Sequence, residues 1–487
     1  MRYLSITILG LFLGIINFSC DKNTDSEVDN NNLTNDRLVE FTIFYTNDEH
    51  GWLEATEESD GAAGLAGMWK AEENYDGSEN FLILSGGDNW TGPAVSTWFM
   101  GEPMVEVMNS LEYDASAIGN HDFDFTIEIL EERLEQMNFP FLAANIIEKS
   151  SGEIPSFVKP YIIKEISGVN IGIIGLASLS TPNTTFPRNV ETLEFLPYDQ
   201  AINTYAPQAI AEGTDFLILV GHICEHEMEQ LVDVAKNHNI KIIGGGHCHQ
   251  LIAKEMDGVV LMQSGANMER YVKVEFVYHI NKDTIENLSY SIHKNNQGII
   301  DDEVLAITEK WIEQSNAILS EVIGYADATI HQRSVEMGNM VVDSWLQTFP
   351  EADVALTNSG GIRQDIPAGE ITLETIVGLL PFENNIIQLE VTGSELLESA
   401  PYYLHGGFTT VDGNYLADGT PIHSDSTYTL LTIDYLYSLS SNNFSDYDEE
   451  PYNTSVHYRQ PVIDWIQSLN TSESDPLNNY LDDVPRK

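Results

Sequence analysis

The side chains best suited to chemistry in this 487-residue chain sit in five short, glycine-rich motifs. "TNDEHG" carries Asp48 and His50, and "SGGDNW" carries Asp88. "GNHDFD" carries Asn120, His121 and Asp124, "GHICEH" begins with Gly221 and His222, and "GGGHCH" carries His247 and His249. Imidazole and carboxylate together suit zinc, manganese, iron and similar ions. Taken alone, each motif is a common turn, and any one histidine is more often structural. The ordered set, each member following a short apolar run, points to a metal site. Asp-x-His and His-x-His would send alternate side chains into one pocket if the backbone stays extended. The set is too large for one tetrahedral ion and suits two divalent ions, zinc, manganese or similar, sharing a bridging carboxylate.

The elements that must position these motifs are legible as alternating strands and helices. "FTIFY", "FLIL", "ASAI", "FLAA", "DFLILV" and "IKII" each run into a polar cluster, and runs this short fit buried strands. Residues 126–137 and 228–238 have helical spacing. Strand–helix alternation indicates a layered α/β fold whose sites lie at the carboxyl ends of strands. Residues 302–324 read as one long helix, followed by a second α/β segment from 325 to 487. The residues beyond about 467 read as polar and loosely ordered.

Charge narrows the partners. The chain has 22 Lys and Arg against 76 Asp and Glu, a net charge of −54. That argues against duplex nucleic acid, whose phosphates need basic residues. An anionic substrate would meet a repulsive field, so bound metal ions would have to supply local positive charge.

At the N-terminus, Arg2 precedes an apolar run over residues 3–18 that ends in "NFSC". The run is short for a membrane span and reads as an export signal over residues 1–20. Ser19-Cys20 is lipobox-like, although Asn17 stands where a leucine is usual. Residues 21–37 are rich in Asn and Asp and read as a flexible tether. The expectation is an exported protein, periplasmic or at the cell surface, touching membrane only through a lipid anchor on Cys20. Cys224 and Cys248 are the remaining cysteines. They could form a disulfide, stay as thiols or line the metal site, and simple burial as thiols is the preferred reading.

From about Phe41 to about Tyr447 the chain resembles the two-domain 5′-nucleotidases of the calcineurin-like metallophosphoesterase superfamily. The resemblance implies a four-layer αββα sandwich over residues 38–301, a linking helix over 302–324 and a smaller α/β substrate domain over 325–487. It implies that Asp48, His50, Asp88 and His249 hold one ion, and that Asp88, Asn120, His222 and His247 hold the other. His121 would act on the leaving group, and Asp124 would orient His121. In "TNSGGIR" and "LLPFENN" it places Asn358, Arg363, Phe382 and Asn384 on the substrate, with Phe382 stacking on the base. Two departures stand out. The loop "SSNNFSDYDEE" replaces a glycine-rich one and leaves Phe444 as the second stacking ring, and "HQRSVEMGN" puts His331 where relatives carry Arg, with Arg333 two residues on.

The implied activity is removal of the 5′-phosphate of a nucleotide by metal-activated water. Alternatives on the same scaffold are a 2′,3′-cyclic-nucleotide phosphodiesterase and a nucleotide-sugar pyrophosphatase. A non-catalytic surface binding protein is the alternative of another class, and the intact ligand set counts against it. Asp122, within "GNHDFD", has no expected role beyond a turn or a supporting hydrogen bond.

Overall fold

The structure, a computed structural model, describes residues 37–77 and 80–487. The expected export signal, Cys20 and nearly all of the tether lie outside the described residues. Among the described residues, no helix is long and apolar enough to cross a membrane.

Two six-stranded sheets form the centre of the first part of the chain. In the first, Leu38–Thr46, Phe81–Ser85, Ala115–Ala117 and Phe141–Leu142 run parallel, with Arg270–His279 and Thr284–Lys294 antiparallel at one side. In the second, Val169–Leu176, Phe216–Gly221, Ile240–Gly244 and Val259–Ser264 run parallel, edged by antiparallel Tyr161–Ile166 and Leu251–Met256. The parallel strands are near-continuous Val, Ile, Leu and Phe because both of their faces are covered.

Alternation assigns each residue to a layer. Ile43, Tyr45, Leu82 and Leu84 meet Ile171, Ile173, Ile218 and Val220 between the sheets. Phe44 and Ile83 point the other way, onto Leu65, Trp69, Met104 and Trp311 of an outer helical layer. Leu217, Leu219 and Ile243 pack on the helices Tyr198–Ala211 and Glu225–Asn237. The result is the expected helix–sheet–sheet–helix sandwich.

The helix Asp302–Leu319 starts at an Asp301 cap, whose carboxylate accepts from Glu303 N and Val304 N at 3.2 and 3.0 Å. It ends at Leu319 rather than at 324, because Val322–Ala326 pairs antiparallel with Gly369–Thr372. A five-stranded sheet follows, in the order Leu404–Gly406, Val354–Thr357, Thr427–Ile433, Asn385–Thr392, Tyr452–His457. The helices Val335–Thr348 and Gln460–Leu469 cover it, and Trp345, Leu356, Leu389, Leu430 and Ile466 share one core.

The end of the chain is docked, contrary to the expected loose order. Leu477 is fully buried, and Arg486 grips Asp343 through two bonds of 2.6 and 2.7 Å. Asn339 Nδ2 donates to the carbonyls of Asp482 and Val484. A bidentate guanidinium–carboxylate pair is geometrically specific, and polar composition alone did not reveal it.

Candidate active site

Every motif of the ligand set follows the carboxyl end of a parallel strand, and the two sheets bring those ends together. Asp48 and His50 follow Leu38–Thr46, Asp88 follows Phe81–Ser85, and Asn120 follows Ala115–Ala117. His222 follows Phe216–Gly221, while His247 and His249 follow Ile240–Gly244.

The backbone there is not extended, which is what simple alternation of side chains would need. Asp48, His50, Asp88, His247 and His249 all have left-handed φ, at 53°, 47°, 63°, 69° and 52°. Non-glycine residues adopt this region rarely, and such strain concentrates at functional sites. Left-handed turns still bring both members of each pair inward, and they free the middle residue for other work. Between Asp48 and His50, Glu49 turns back into the protein and accepts from Thr46 and Ser85.

Two groups of donor atoms result, Asp48 with His50 and His249, and Asp88 with His222 and His247. His249 Nε2 lies 3.4 Å from Asp48 Oδ1 and 3.2 Å from His50 Nε2. Asp88 Oδ2 lies 2.9 Å from His222 Nε2 and 3.9 Å from His50 Nε2, so it faces both groups. Gly119 must be glycine, since a Cβ there would sit 2.1 Å from Asp88 Oδ1.

These atoms fit a metal by their unmet bonding. His222 Nδ1 contacts Gly86 O at 2.8 Å, and His50 Nδ1 contacts Thr91 O at 3.1 Å. A proton on each Nδ1, donated to the carbonyl, leaves the Nε2 lone pair facing the carboxylates, as in metal-ligating histidines. His222 Nε2 is buried and, despite its 2.9 Å approach to Asp88, lacks hydrogen-bond geometry. Asn120 Oδ1 is likewise buried without a partner, while its Nδ2 donates to Thr184 O at 3.0 Å.

The electrostatics agree. Burial pushes Asp88 up, but His222, His121 and His50 outweigh it and hold the carboxyl well below its usual range. Burial and then Arg363 push His50 well below the imidazole range. Burial also opposes a charged His222, yet Asp88 and Asp48 raise it to about 10, marking a place where positive charge is favoured.

His121 belongs to neither group. Its Nδ1 lies 2.8 Å from Asp124 Oδ2, and Asp124 Oδ1 accepts from Thr185 Oγ1 at 3.0 Å. Its backbone N–H donates to Asp88 Oδ1 at 2.7 Å. Asp122 does more than hold a turn. Buried, it accepts from the backbone N–H groups of Asp88, Asn89 and Gly119 and from Asn89 Nδ2, tying two strand-end loops together.

Beside His121 lies a cavity of ≈ 250 Å³. The expected Asn358, Arg363, Phe382 and Asn384 line it, together with Asp124. Asn358 Oδ1 is buried there without a partner. Phe382 stacks on His121 at 5.5 Å, and the Arg363 guanidinium stands 5.8 Å from the Phe382 ring centre. Arg333 lies elsewhere, in a larger cavity of ≈ 1170 Å³ that His50, His249 and Arg363 also line.

Phe444 corrects the expectation. It is fully buried against Tyr403 and Tyr447 and lines neither cavity. Without a glycine-rich loop, Asn443 takes the left-handed position (φ 58°), and the short helix Phe444–Tyr447 turns the ring into the core. Phe186, Arg188 and Tyr435 line the smaller cavity instead. Phe444→Ala is accordingly expected to cost about 3–5 kcal/mol of stability. Denaturant unfolding reads that loss, while substrate KM should stay unchanged.

The cysteines correct another. Cys224 and Cys248 form a disulfide, with Cα atoms 5.3 Å apart, rather than two buried thiols. Only Cys224 is buried; Cys248 is exposed. Sequence reasoning also passed over Asn47, whose Nδ2 donates to Asp48 Oδ2 at 2.6 Å, and Glu49, which burial raises to about 8. Their signal was position within "TNDEHG". Phe186, Arg188 and Tyr435 had no motif to mark them.

Comparison with known proteins fits this geometry. Residues 316–399 match the family model for the 5′-nucleotidase C-terminal domain. The chain is 27% identical over 466 residues to a Vibrio cholerae 5′-nucleotidase, covering 81% of this chain and 84% of that protein. It is also 27% identical over 448 residues to the Bacillus subtilis endonuclease YhcR, covering 80% of this chain but 36% of that longer protein. A 5′-nucleotidase precursor from Thermus thermophilus has the same fold, with a TM-score of 0.77 at 20% identity over 89% of this chain and 97% of that one. With its αββα sandwich and its paired Asp/His groups, the chain is similar across most of its length to the two-domain 5′-nucleotidases, and these likenesses support a metal-dependent phosphoester hydrolase.

Proposed function

We propose that this hydrolase removes the 5′-phosphate of nucleotides, releasing nucleoside and phosphate. The observation that carries the reading is the juxtaposition of the two donor groups, the His121–Asp124 pair and a cavity holding a flat ring and a cation.

In this reading Asp48, His50, Asp88 and His249 hold one divalent ion, and Asp88, Asn120, His222 and His247 hold the second. Bound ions of this kind supply positive charge at the phosphoryl oxygens and an activated water. Asn120 contributes an oxygen without adding negative charge where phosphate must approach. Asp124 fixes the His121 ring through Nδ1, which leaves Nε2 to deliver a proton to the departing 5′ oxygen. Arg363, which makes no ion pair among the described residues, adds a cation to the phosphate side. Phe382, whose ring stacks on His121, also lines the cavity and offers the base a flat apolar surface. Phe186, Arg188, Tyr435 and Asn384 form the remaining wall for the nucleoside.

The larger cavity, with Arg333 and Arg363 beside His50 and His249, favours a second reading in which the substrate carries another charged group beyond the scissile phosphate. A nucleotide-sugar pyrophosphatase activity fits it, whereas a 2′,3′-cyclic nucleotide, with its single phosphate, does not use the second cation. A panel of AMP, 2′,3′-cyclic AMP, UDP-glucose and bis(p-nitrophenyl) phosphate separates these, each assayed with metal-free and metal-reconstituted protein. Release of phosphate from AMP that requires metal is expected. Hydrolysis of UDP-glucose without AMP would replace the nucleotidase reading by the second.

Export is part of the same proposal. A disulfide suits an oxidising compartment, in keeping with the expected N-terminal signal and a lipid anchor at Cys20.

A further inference from the structure

The disulfide stands where it can act on the ligands. Cys224 lies two residues after His222, and Cys248 lies between His247 and His249. It therefore ties together the loops that follow two neighbouring parallel strands, Phe216–Gly221 and Ile240–Gly244. One end is firmly anchored. Cys224 is 4% exposed, precedes the helix Glu225–Asn237, and its N–H donates to Glu227 Oε2 at 2.8 Å.

The other end is held more lightly. Cys248 is exposed and is flanked by two left-handed residues, His247 and His249, with φ of 69° and 52°. Strained residues persist only where their surroundings over-determine them. Besides the disulfide, the restraints here are mainly polar contacts. His247 N–H donates to Asp48, at 3.1 and 3.0 Å from its two carboxylate oxygens, its Nε2 lies 3.1 Å from Ser180 Oγ, Cys248 N–H donates to Gly246 O at 2.7 Å, and the exposed His249 side chain touches His50 and Asp48. The backbone behind them is packed tightly, since a Cβ on Gly246 would sit 2.9 Å from His222 Nδ1.

We propose that Cys224 and Cys248 are positioning residues whose disulfide holds His247 and His249 in their ligating conformation, so that metal affinity depends on the oxidised state. The inference rests on the reading of His222, His247 and His249 as ligands. Reduction by a dithiol begins at the exposed end. A reductant thiolate attacks Cys248 Sγ, the bond to Cys224 Sγ breaks, and the Cys224 thiolate leaves and takes up a proton. The second thiol of the reductant then attacks the mixed disulfide. It releases Cys248 as a thiol and leaves the reductant as a cyclic disulfide, two electrons having passed to the protein. Freed of the clamp, the His247–His249 loop relaxes from its left-handed turns.

The test compares three forms of the full chain: oxidised, reduced with a phosphine under anaerobic conditions, and the Cys224→Ser/Cys248→Ser double variant. Manganese affinity is measured by calorimetry, and amide hydrogen exchange of residues 245–250 is followed in the metal-free forms. Groups that orient metal ligands typically account for about 10–100-fold in affinity. A loss of that size is expected in the reduced protein and in the double variant, with faster exchange in the loop and no further effect of reductant on the variant. If the double variant fails to fold, the reduced native chain carries the comparison. Equal affinity in oxidised and reduced protein, with the broken bond verified by mass, overturns the clamp even where thermal stability falls. Binding in neither form overturns the ligand reading, and the clamp with it.

Discussion

His121→Asn is expected to lower turnover by about 10²–10⁴-fold, the usual range for loss of a general acid or base, while metal content stays near that of the native chain. The geometry separates the two readouts. His121 lies outside both donor groups, yet its Nδ1 is held by Asp124 at 2.8 Å and its ring packs against His50 with 5.4 Å between ring centres. Burial pulls the ring's basicity down, but Asp124 and Asp88 raise it overall, as a proton donor beside a leaving oxygen requires. Asparagine cannot deliver that proton. Its backbone N–H can still donate to Asp88 Oδ1, so the loop that carries Asn120 should keep its place. Metal analysis beside steady-state kinetics checks both halves. Loss of a metal equivalent in this variant would make His121 a ligand instead.

Asp88→Asn is expected to be more damaging, because it should weaken binding at both donor groups at once. Asp88 Oδ2 faces His222 at 2.9 Å and His50 at 3.9 Å, while Oδ1 accepts the His121 N–H. Removing the charge takes away the carboxylate that His222 Nε2 faces and that both donor groups share. Metal charge stabilisation of several kcal/mol corresponds to a rate loss of about 10³-fold or more. Calorimetric metal titration and AMP turnover should fall together. A variant that retains full affinity at either group would show that Asp88 does not bridge.

The fold and most of the candidate site were legible because strand ends in a parallel sheet converge by construction. Once the apolar runs are read as strands, Asp48, Asp88 and Asn120 meet at the end of one sheet and His222 and His247 at the end of the other, while the facing of the two ends follows from the resemblance. What could not be read depended on local conformation or on contacts between distant segments. The left-handed turns at Asp48 and His247 leave no mark in an Asp-x-His or His-x-His spacing. The Cys224–Cys248 bond depends on two neighbouring loops facing one another, which sequence separation does not reveal. Phe444 was misplaced because a ring after a polar loop can turn either way, and a left-handed Asn443 sends it into the core. Phe186 and Arg188 lie on a connecting segment that closes the cavity from the opposite side, and Tyr435 marks the same approach by donating to Asn183 O at 2.9 Å. Asp122, chemically silent in the motif, is tied to the Asp88 loop through backbone bonds that side-chain identity does not announce.

The most direct test of the central claim is phosphate release from AMP by metal-stripped protein as manganese is added stepwise. The expected result is no release without metal and a rise to a plateau at about two equivalents per chain, as two-ion hydrolysis requires. Release that needs no metal, or none at any metal concentration, would contradict it.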